Sequence, residues 1–427
     1  MKIKIKIWHW ILFIWIALLA FRFEAIIDLM HLWYSYAAFF LSDFNSAIDI
    51  LDFRLIDGLL SIKLFIILPV VIFFFRKKPP FLKVQLNFAY AVLILLFTVF
   101  LMAPLVADEN PEFQKNLSVT KLLLPLTHVK QLHIKGENKV ESSPLLEFLQ
   151  LKNKVLRSSY DESIIFIDSI NVADKIYYYQ KGRMKELSKE EVIYKNNKPL
   201  VTENLFLLGT DEFGRNIFAR LIYGSRISLL VGIGSVILSL FIGLTLGFLA
   251  GYRGGIIDIV LSRLTELFLA FPVIYLVILV LALFGSSLFS VIIVLGVSSW
   301  MSLFKIVKSE VLAIKQKDYL ITAGLIGLSN KQLLLKEILP VIIAPVIVTL
   351  VLQFSNVVLA ESALSYLGLG TGTSYPSWGA MISSGQEYIM KAWWMIIFPG
   401  LSLVLTLLSV NSAGRRLNKV FNPRKSL

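Results

Sequence analysis

The stretch ISLLVGIGSVILSLFIGLTLGFLAGY, residues 227–252, decides the fold class of this chain. It lies between Arg226 and Arg253 and contains no charged residue. As an α-helix it is about 39 Å long, and about 30 Å is enough to cross the hydrocarbon core of a bilayer. The stretch therefore predicts a transmembrane helix.

The composition of the whole chain indicates a polytopic membrane protein. Of its 427 residues, 56% are hydrophobic and 17% are charged, whereas soluble domains carry more charge. Segment 25–41 contains Asp28 and His31, so we interpret it as interfacial or as part of a bent first helix. Seven further spans are predicted, at 7–21, 55–75, 85–106, about 267–286, 287–304, 339–359 and 394–412.

Basic residues in short loops predict the orientation of the spans. They concentrate in alternate loops, at 2–6, 76–83, 253–263, 305–338 and 415–425. The short loops on the other side hold only Arg22, Arg54 and Lys391. Eight spans with both termini in the cytoplasm satisfy this pattern. The pattern also explains the net charge of +13 better than nucleic-acid binding does.

Residues 107–208 form the one long polar stretch, on the predicted outer side. Ser163–Ile167 and Lys175–Tyr179 are candidate strands, and Gly182 predicts a turn between the second of these and a strand at 192–194. We expect a small α+β domain. His128 and His133 carry no metal-binding signature, and because the chain has no cysteine the domain has no disulfide.

The loop at 305–338 contains six lysines but an apolar centre, Asp318–Leu328. This centre predicts a short helix, followed by a break at Gly327 and a second helix capped by Ser329 or Asn330. A helix that is apolar on most sides must be buried. A short loop has no core of its own, so we expect another protein to cover this helix rather than lipid.

Four stretches, taken together, carry a family resemblance. They are Leu208–Ser228 (LGTDEFGRN…RLIYGSRIS), Asp258–Pro272, Asp318–Gly327 followed by Ile338-Leu-Pro340, and Glu361–Gly370 followed by Pro376-Ser-Trp-Gly379. In order and spacing they resemble the C-type permease subunit of dipeptide, oligopeptide and nickel ABC importers. The resemblance covers about 76–427.

This resemblance implies the overall organisation. The predicted fold is an all-α polytopic membrane protein with a six-span ABC importer permease core, two extra N-terminal spans and a small α+β extracytoplasmic insertion. The predicted segments are the extension at 1–75, the first core helix at 76–106, the insertion at 107–208, and the rest of the core at 209–427, which includes the coupling loop at 305–338.

The resemblance also implies partners and a coupling site. In such importers the coupling loop inserts into a cleft on an ATPase subunit. Ile321 and Thr322 stand where the family has a glutamate and an alanine. The implied partners are a second, homologous permease, two ABC ATPase subunits and an extracytoplasmic binding protein, assembled at a bacterial inner membrane. The implied coupling residues are Asp318, Tyr319, Ala323, Gly327, Leu328 and Pro340.

Further candidates lie on either side of this loop. Glu361 follows an apolar helix, and the loop after it resembles part of the outer gate, so Glu361, Tyr366 and Trp378 are pathway candidates. Arg263 and Glu266 are three residues apart on one helix and are expected to form an ion pair that fixes helix packing.

The absent motifs narrow the function. The sequence lacks a Gly-x-x-x-x-Gly-Lys-Ser/Thr loop, so ATP and Mg²⁺ are expected on partner chains, and this chain is predicted to be non-catalytic and free of cofactors and metals. Two alternatives are an ion-coupled secondary transporter and a membrane receptor that senses through 107–208. The first needs buried acidic or histidine chains in the core spans, and the second needs more than the short tail after Asn411.

Overall fold

The computed structural model describes residues 6–75, 85–107, 109–135, 144–156, 163–325, 328–329, 332–371 and 376–421. In chain order its helices are α1 (Ile7–Phe21), α2 (Phe23–Ser42), α3 (Phe44–Asp49), α4 (Phe53–Phe75), α5 (Phe88–Val106), α6 (Leu117–Thr120), α7 (Pro144–Val155), α8 (Ile217–Arg253), α9 (Gly255–Ala270), α10 (Val273–Phe284), α11 (Leu288–Lys315), α12 (Asp318–Leu325), α13 (Leu339–Tyr366), α14 (Trp378–Gln386) and α15 (Trp394–Phe421).

Six of the described helices are long and apolar enough to cross a membrane, namely α4, α5, α8, α11, α13 and α15. Two bent pairs pass the same test as pairs, α1 with α2 and α9 with α10, with bends of 87° and 86°. The total is therefore six spans, or up to eight if each bent pair is one span, and the upper figure equals the predicted number. The bend after α1 agrees with a bent first helix.

Two predicted spans have different boundaries in the structure. No single helix covers 267–286, because the chain breaks between α9 and α10 at Phe271 and Pro272. Proline forces the residue before it out of the helical region, and Phe271 has ψ of 139°. The span predicted at 287–304 continues as α11 to Lys315, so the first third of the predicted loop is helical.

Residues 127–206 contain the strands. These are β1 (Thr127–His133), β2 (Ile164–Ile167), β3 (Ser169–Val172), β4 (Ile176–Gln180), β5 (Arg183–Leu187), β6 (Tyr194–Lys195), β7 (Lys198–Pro199) and β8 (Val201–Phe206). Antiparallel sheets form in the orders β2-β1-β8, β3-β4-β5 and β6-β7. The α+β character is confirmed.

The turn at Gly182 is confirmed, but its predicted partner strand is wrong. Lys181 and Gly182 both have positive φ and join β4 to β5, with Gln180 opposite Arg183. The two positive φ values give the tight two-residue turn whose twist matches a hairpin. Strand β5, with the sequence RMKEL, is almost fully exposed, so it has no apolar alternation to reveal it.

The chain divides into two compact units. One contains residues 1–87, 94–226 and 384–400, and the other contains 88–93, 227–383 and 401–427. The first unit holds both the N-terminal extension and the insertion. Within it, Phe148 of α7 stacks on Phe39 of α2 with ring centroids 5.6 Å apart. The two additions to the core therefore share one hydrophobic cluster.

The second unit is built on close approach of α8 to α11. A Cβ atom at Gly243, Gly247 or Gly251 would lie 2.8–2.9 Å from a side chain of α11. Real Cβ atoms do not approach that closely, so the glycines are needed where the two helices pack. Spacing of four residues places them on one face of α8, which is the small-residue packing found between membrane helices.

Candidate coupling site and buried polar clusters

The apolar side of the predicted coupling helix is covered by this chain. Leu320 on α12 is 5% exposed and packs with Val311, Ile314 and Ile342 from α11 and α13. Ala323 and Leu328 join the edge of the same cluster. The expectation that this segment has no core of its own is therefore wrong. The helices on either side extend beyond the predicted spans and supply one.

The opposite side of α12 is open. Asp318 and Thr322 are exposed, and the Tyr319 ring is 47% exposed. Thr322 Oγ1 donates to the Asp318 carbonyl at 2.8 Å, so its hydroxyl is satisfied within the helix. The helix thus anchors Leu320 and presents Tyr319 between two polar residues.

The segment after α12 is closed by a local cap. The Ser329 backbone N–H donates to Gln332 Oε1 at 2.9 Å, and the Gln332 N–H donates to Ser329 Oγ at 3.4 Å. This reciprocal pair is a capping box, as Ser329 was predicted to provide. A short π-helical turn, Leu333–Ile338, then leads into α13. Gly327 and Asn330 lie outside the described residues.

Pro340 is exposed near the start of α13, directly after the π-helical turn. The coupling residues thus fall into two sets. Leu328, Ala323 and the buried Leu320 fix the segment, whereas Asp318, Tyr319 and Pro340 face outward.

The ion pair between Arg263 and Glu266 exists, and its role in fixing helix packing stays a prediction. Arg263 Nη1 lies 2.8 Å from Glu266 Oε2, with side chains 79% and 55% exposed. Both residues belong to α9, so the ion pair itself lies within one helix. The ion pair that links α9 to α11 is Asp258 with Lys308, which also donates to Ser262 Oγ at 2.7 Å.

Glu361 is completely buried inside α13 rather than placed in the loop beyond it. Its carboxylate accepts hydrogen bonds from Ser228 Oγ of α8 at 2.9 Å and from Ser365 Oγ at 2.7 Å. Ser362 Oγ is 3.5 Å away, and Ser377, just before α14, also donates to it. The carboxylate therefore joins α8, α13 and the start of α14.

The other two gate candidates differ in exposure. Trp378 is 1% exposed and lies beside the buried Ser377, whereas Tyr366, the last residue of α13, is 38% exposed. Ser383 Oγ donates to the Tyr366 carbonyl at 2.8 Å and holds α14 against the end of α13. Among the three candidates only Tyr366 has a surface that reaches beyond this chain.

A further buried amide was not predicted. Gln353 of α13 donates to Ser239 Oγ at 2.6 Å and to the Ser299 carbonyl at 3.1 Å, and its Oε1 has no described partner. This arrangement ties α8, α11 and α13 together in the membrane interior. The sequence signal that could have predicted it is the position of Gln353, a polar residue, within the apolar span at 339–359.

An unpredicted ion pair lies in the first unit. Arg226 Nη2 donates to Asp57 Oδ1 of α4 at 2.7 Å, and the side chains are 14% and 12% exposed. Arg226 Nε also donates to the Phe100 carbonyl at 2.6 Å. Asp57 belongs to the N-terminal extension and Arg226 to the stretch 208–228, so the extension neutralises a charge of the core.

The stretch 208–216 folds into a turn stabilised by charge. Asp211 accepts from the backbone N–H of Phe213 and of Arg215, each at 2.9 Å, and from Arg215 Nε at 2.7 Å. Arg215 also donates to Glu112 at 2.8 Å. Burial, and then the neighbouring charge of Asp211, raises the pKa of Glu212. These contacts give the motif a structural role at the start of α8.

The known proteins that this chain resembles match about half of its length. Residues 243–427 match the family described as "binding-protein-dependent transport system inner membrane component". The dipeptide transport system permease protein DppC of Alkalihalophilus pseudofirmus is 38% identical over 216 residues, which are 51% of this chain and 71% of that protein. The di/tripeptide permease protein DppC of Pseudomonas aeruginosa is 36% identical over 219 residues, 51% of this chain and 72% of that protein.

The oligopeptide permease protein OppC of Haemophilus influenzae is 37% identical over 222 residues, 52% of this chain and 71% of that protein. Among solved structures, an inward-facing MetNI methionine ABC transporter chain superposes with a TM-score of 0.40 and 20% identity, covering 48% of this chain and 97% of that one.

Proposed function

Because this chain belongs to the family of inner membrane components of binding-protein-dependent transport systems, as a permease subunit of an ABC importer, we propose that its cargo is peptides. The support is that the relatives matched over most of their length are named dipeptide, di/tripeptide and oligopeptide permeases. The chain is a multi-pass inner membrane protein whose family works with ATPase and substrate-binding partners.

The proposed assembly pairs this chain with a second, homologous permease, and the two form the translocation pathway between them. Two ABC ATPase subunits bind on the cytoplasmic side, where both termini of this chain lie. ATP and Mg²⁺ belong to those subunits. A binding protein delivers the peptide on the outer side.

Coupling is proposed to run through the outward side of α12. The proposal rests on the two sides of α12, one of which is buried through Leu320 while the other exposes Tyr319. Leu320 is fixed in the cluster between α11 and α13. A displacement of α12 by a partner bound at Tyr319 would therefore also move α11 and α13. ATP binding closes the ATPase subunits, and the resulting shift between access states is a change of populations.

A tyrosine substitution tests this role. Tyr319→Asp places a charge on the docking side without altering the buried Leu320, so we expect ATP-driven peptide uptake in proteoliposomes to fall at least about tenfold, with normal membrane insertion. Tyr194→Asp is the matched control, because Tyr194 is a tyrosine of similar exposure, 39% against 47%, in the insertion. Unchanged uptake in Tyr319→Asp would contradict docking through α12.

Single cysteines test the orientation, since the chain has none of its own. Arg183→Cys at the start of β5 is expected to react with a membrane-impermeant maleimide added to intact spheroplasts. Lys317→Cys, just before α12, is expected to react only after the membrane is opened. Both side chains are exposed, so accessibility reports the side of the membrane. The reverse pattern would overturn the proposed orientation.

A further inference from the structure

Two cavities follow one another along α11, one between α9 and α11 and the other among α9, α10 and α11. The first has a volume of about 250 Å³ and is lined by Ser262, Glu266, Lys305, Lys308 and Ser309 among others. The second has a volume of about 200 Å³ and is lined almost wholly by apolar side chains, including Phe268, Phe271, Ile293, Val297 and Met301. Along α11 the polar cavity begins about one turn after the apolar one ends.

One of the cations around the polar cavity has no anionic partner among the described residues. Lys308 is paired with Asp258 and Glu266 with Arg263, each in a direct ion pair. The Lys305 side chain is exposed and makes no ion pair or hydrogen bond with any described residue. Lys305 and Lys308 line the same cavity, and the charged groups around it therefore sum to a net excess of one positive charge.

The depth of this charge in the membrane follows from the sequence of α11. From Leu288 to Phe304 the helix has no charged residue, and Lys305 is the first. It therefore lies where the hydrocarbon region gives way to the headgroup layer, whichever side of the membrane that end faces. The anion available at that depth is the phosphate of a phospholipid, and basic pockets between spans bind such headgroups.

The geometry points to a phospholipid site between α9 and α11, in which Lys305 and Lys308 hold the phosphodiester and the apolar cavity takes part of an acyl chain. A phosphodiester carries one negative charge, which matches the unpaired lysine. Leu312 and Phe304 add apolar side chains to the lining of the polar cavity. The second cavity distinguishes a phospholipid from a soluble phosphate ester, because the latter has no group to fill it.

The test is native mass spectrometry of the assembled transporter, released from nanodiscs that contain phosphatidylglycerol and phosphatidylethanolamine. The wild-type complex is expected to retain phospholipid. Lys305→Ala is expected to lower that retention about fivefold, the effect of one lysine at a membrane surface. Lys317→Ala removes an exposed lysine that lines neither cavity and is expected to leave retention unchanged.

A second variant tests the acyl-chain cavity separately. Val297→Phe fills it and is expected to lower phospholipid retention, whereas Val341→Phe enlarges an exposed valine of α13 away from both cavities and is expected to have no effect. Retention equal to wild type in both Lys305→Ala and Val297→Phe overturns the proposal. Displacement of the lipid by soluble glycerol 3-phosphate, with Val297→Phe unaffected, overturns the lipid as the source and assigns the site to a free phosphate ester.

Discussion

Asp57 and Glu361 are both carboxylates on apolar helices, the first largely and the second completely buried, yet they have different neighbours. Asp57 faces the guanidinium of Arg226, which balances its charge. Glu361 has hydroxyl donors from several segments and no described cation within salt-bridge distance. The first site depends on opposite charges being present together, whereas the second depends on the number and placement of hydrogen-bond donors. Replacing each acid by its amide should therefore be costly at Asp57 and nearly neutral at Glu361.

The largest effect is expected at Asp57. Asp57→Asn leaves the buried Arg226 without a counter-ion, and breaking a buried pair in this way costs about 3–5 kcal/mol. We expect a large fall in the midpoint of thermal denaturation in detergent. In the double variant Asp57→Asn/Arg226→Gln, no lone charge remains, so part of the loss should be recovered. If the single and double variants are equally destabilised, charge balance is not what Asp57 provides.

An intermediate effect is expected at Glu361. Glu361→Leu leaves the buried hydroxyls of Ser228 and Ser365 without their acceptor, a loss of about 1–3 kcal/mol. Glu361→Gln keeps an acceptor oxygen, and serine hydroxyls can rotate to receive its amide hydrogens. The amide should therefore denature close to wild type and well above the leucine variant. Equal losses in both variants would show that the negative charge itself matters and would remove the contrast with Asp57.

The smallest effect is expected at Arg263, which sets the baseline for the comparison. Its pair with Glu266 is exposed, and exposed pairs contribute about 0.2–1 kcal/mol. Arg263→Ala should shift the same denaturation midpoint by little or nothing. A shift as large as that of Asp57→Asn would contradict the exposure of the pair and place it at an interface in the assembled transporter.

Hydropathy predicted where the membrane helices are, because long uncharged stretches are rare outside them. The hydropathy pattern ended this span at residue 304, because Lys305 and Lys308 are typical of a loop. In the structure α11 continues, with Val307 and Val311 buried while Lys305 and Lys308 lie on another face of the helix. The break at Pro272 was also passed over, because the residues on both sides are apolar.

The sites were less predictable than the spans. The resemblance located α12 and Glu361, but burial of Leu320 depends on the facing surfaces of α11 and α13, which a loop considered alone cannot show. The partners of Asp57 and Gln353 come from residues more than 50 positions away. The sequence shows that such polar residues are unusual in an apolar stretch. Only the folded structure shows which side chain or carbonyl each of them binds.

The stacking of α7 on α2 has a consequence for chimaeric transporters. The Lys152 ammonium of α7 also lies 2.8 Å from Asp52, and an added Cβ at Gly58 of α4 would meet the Leu156 side chain at 2.8 Å. Moving the insertion alone into a relative without the N-terminal extension would expose its apolar surface to solvent, and removing the extension alone would do the same here. The N-terminal extension and the insertion therefore have to be transferred together.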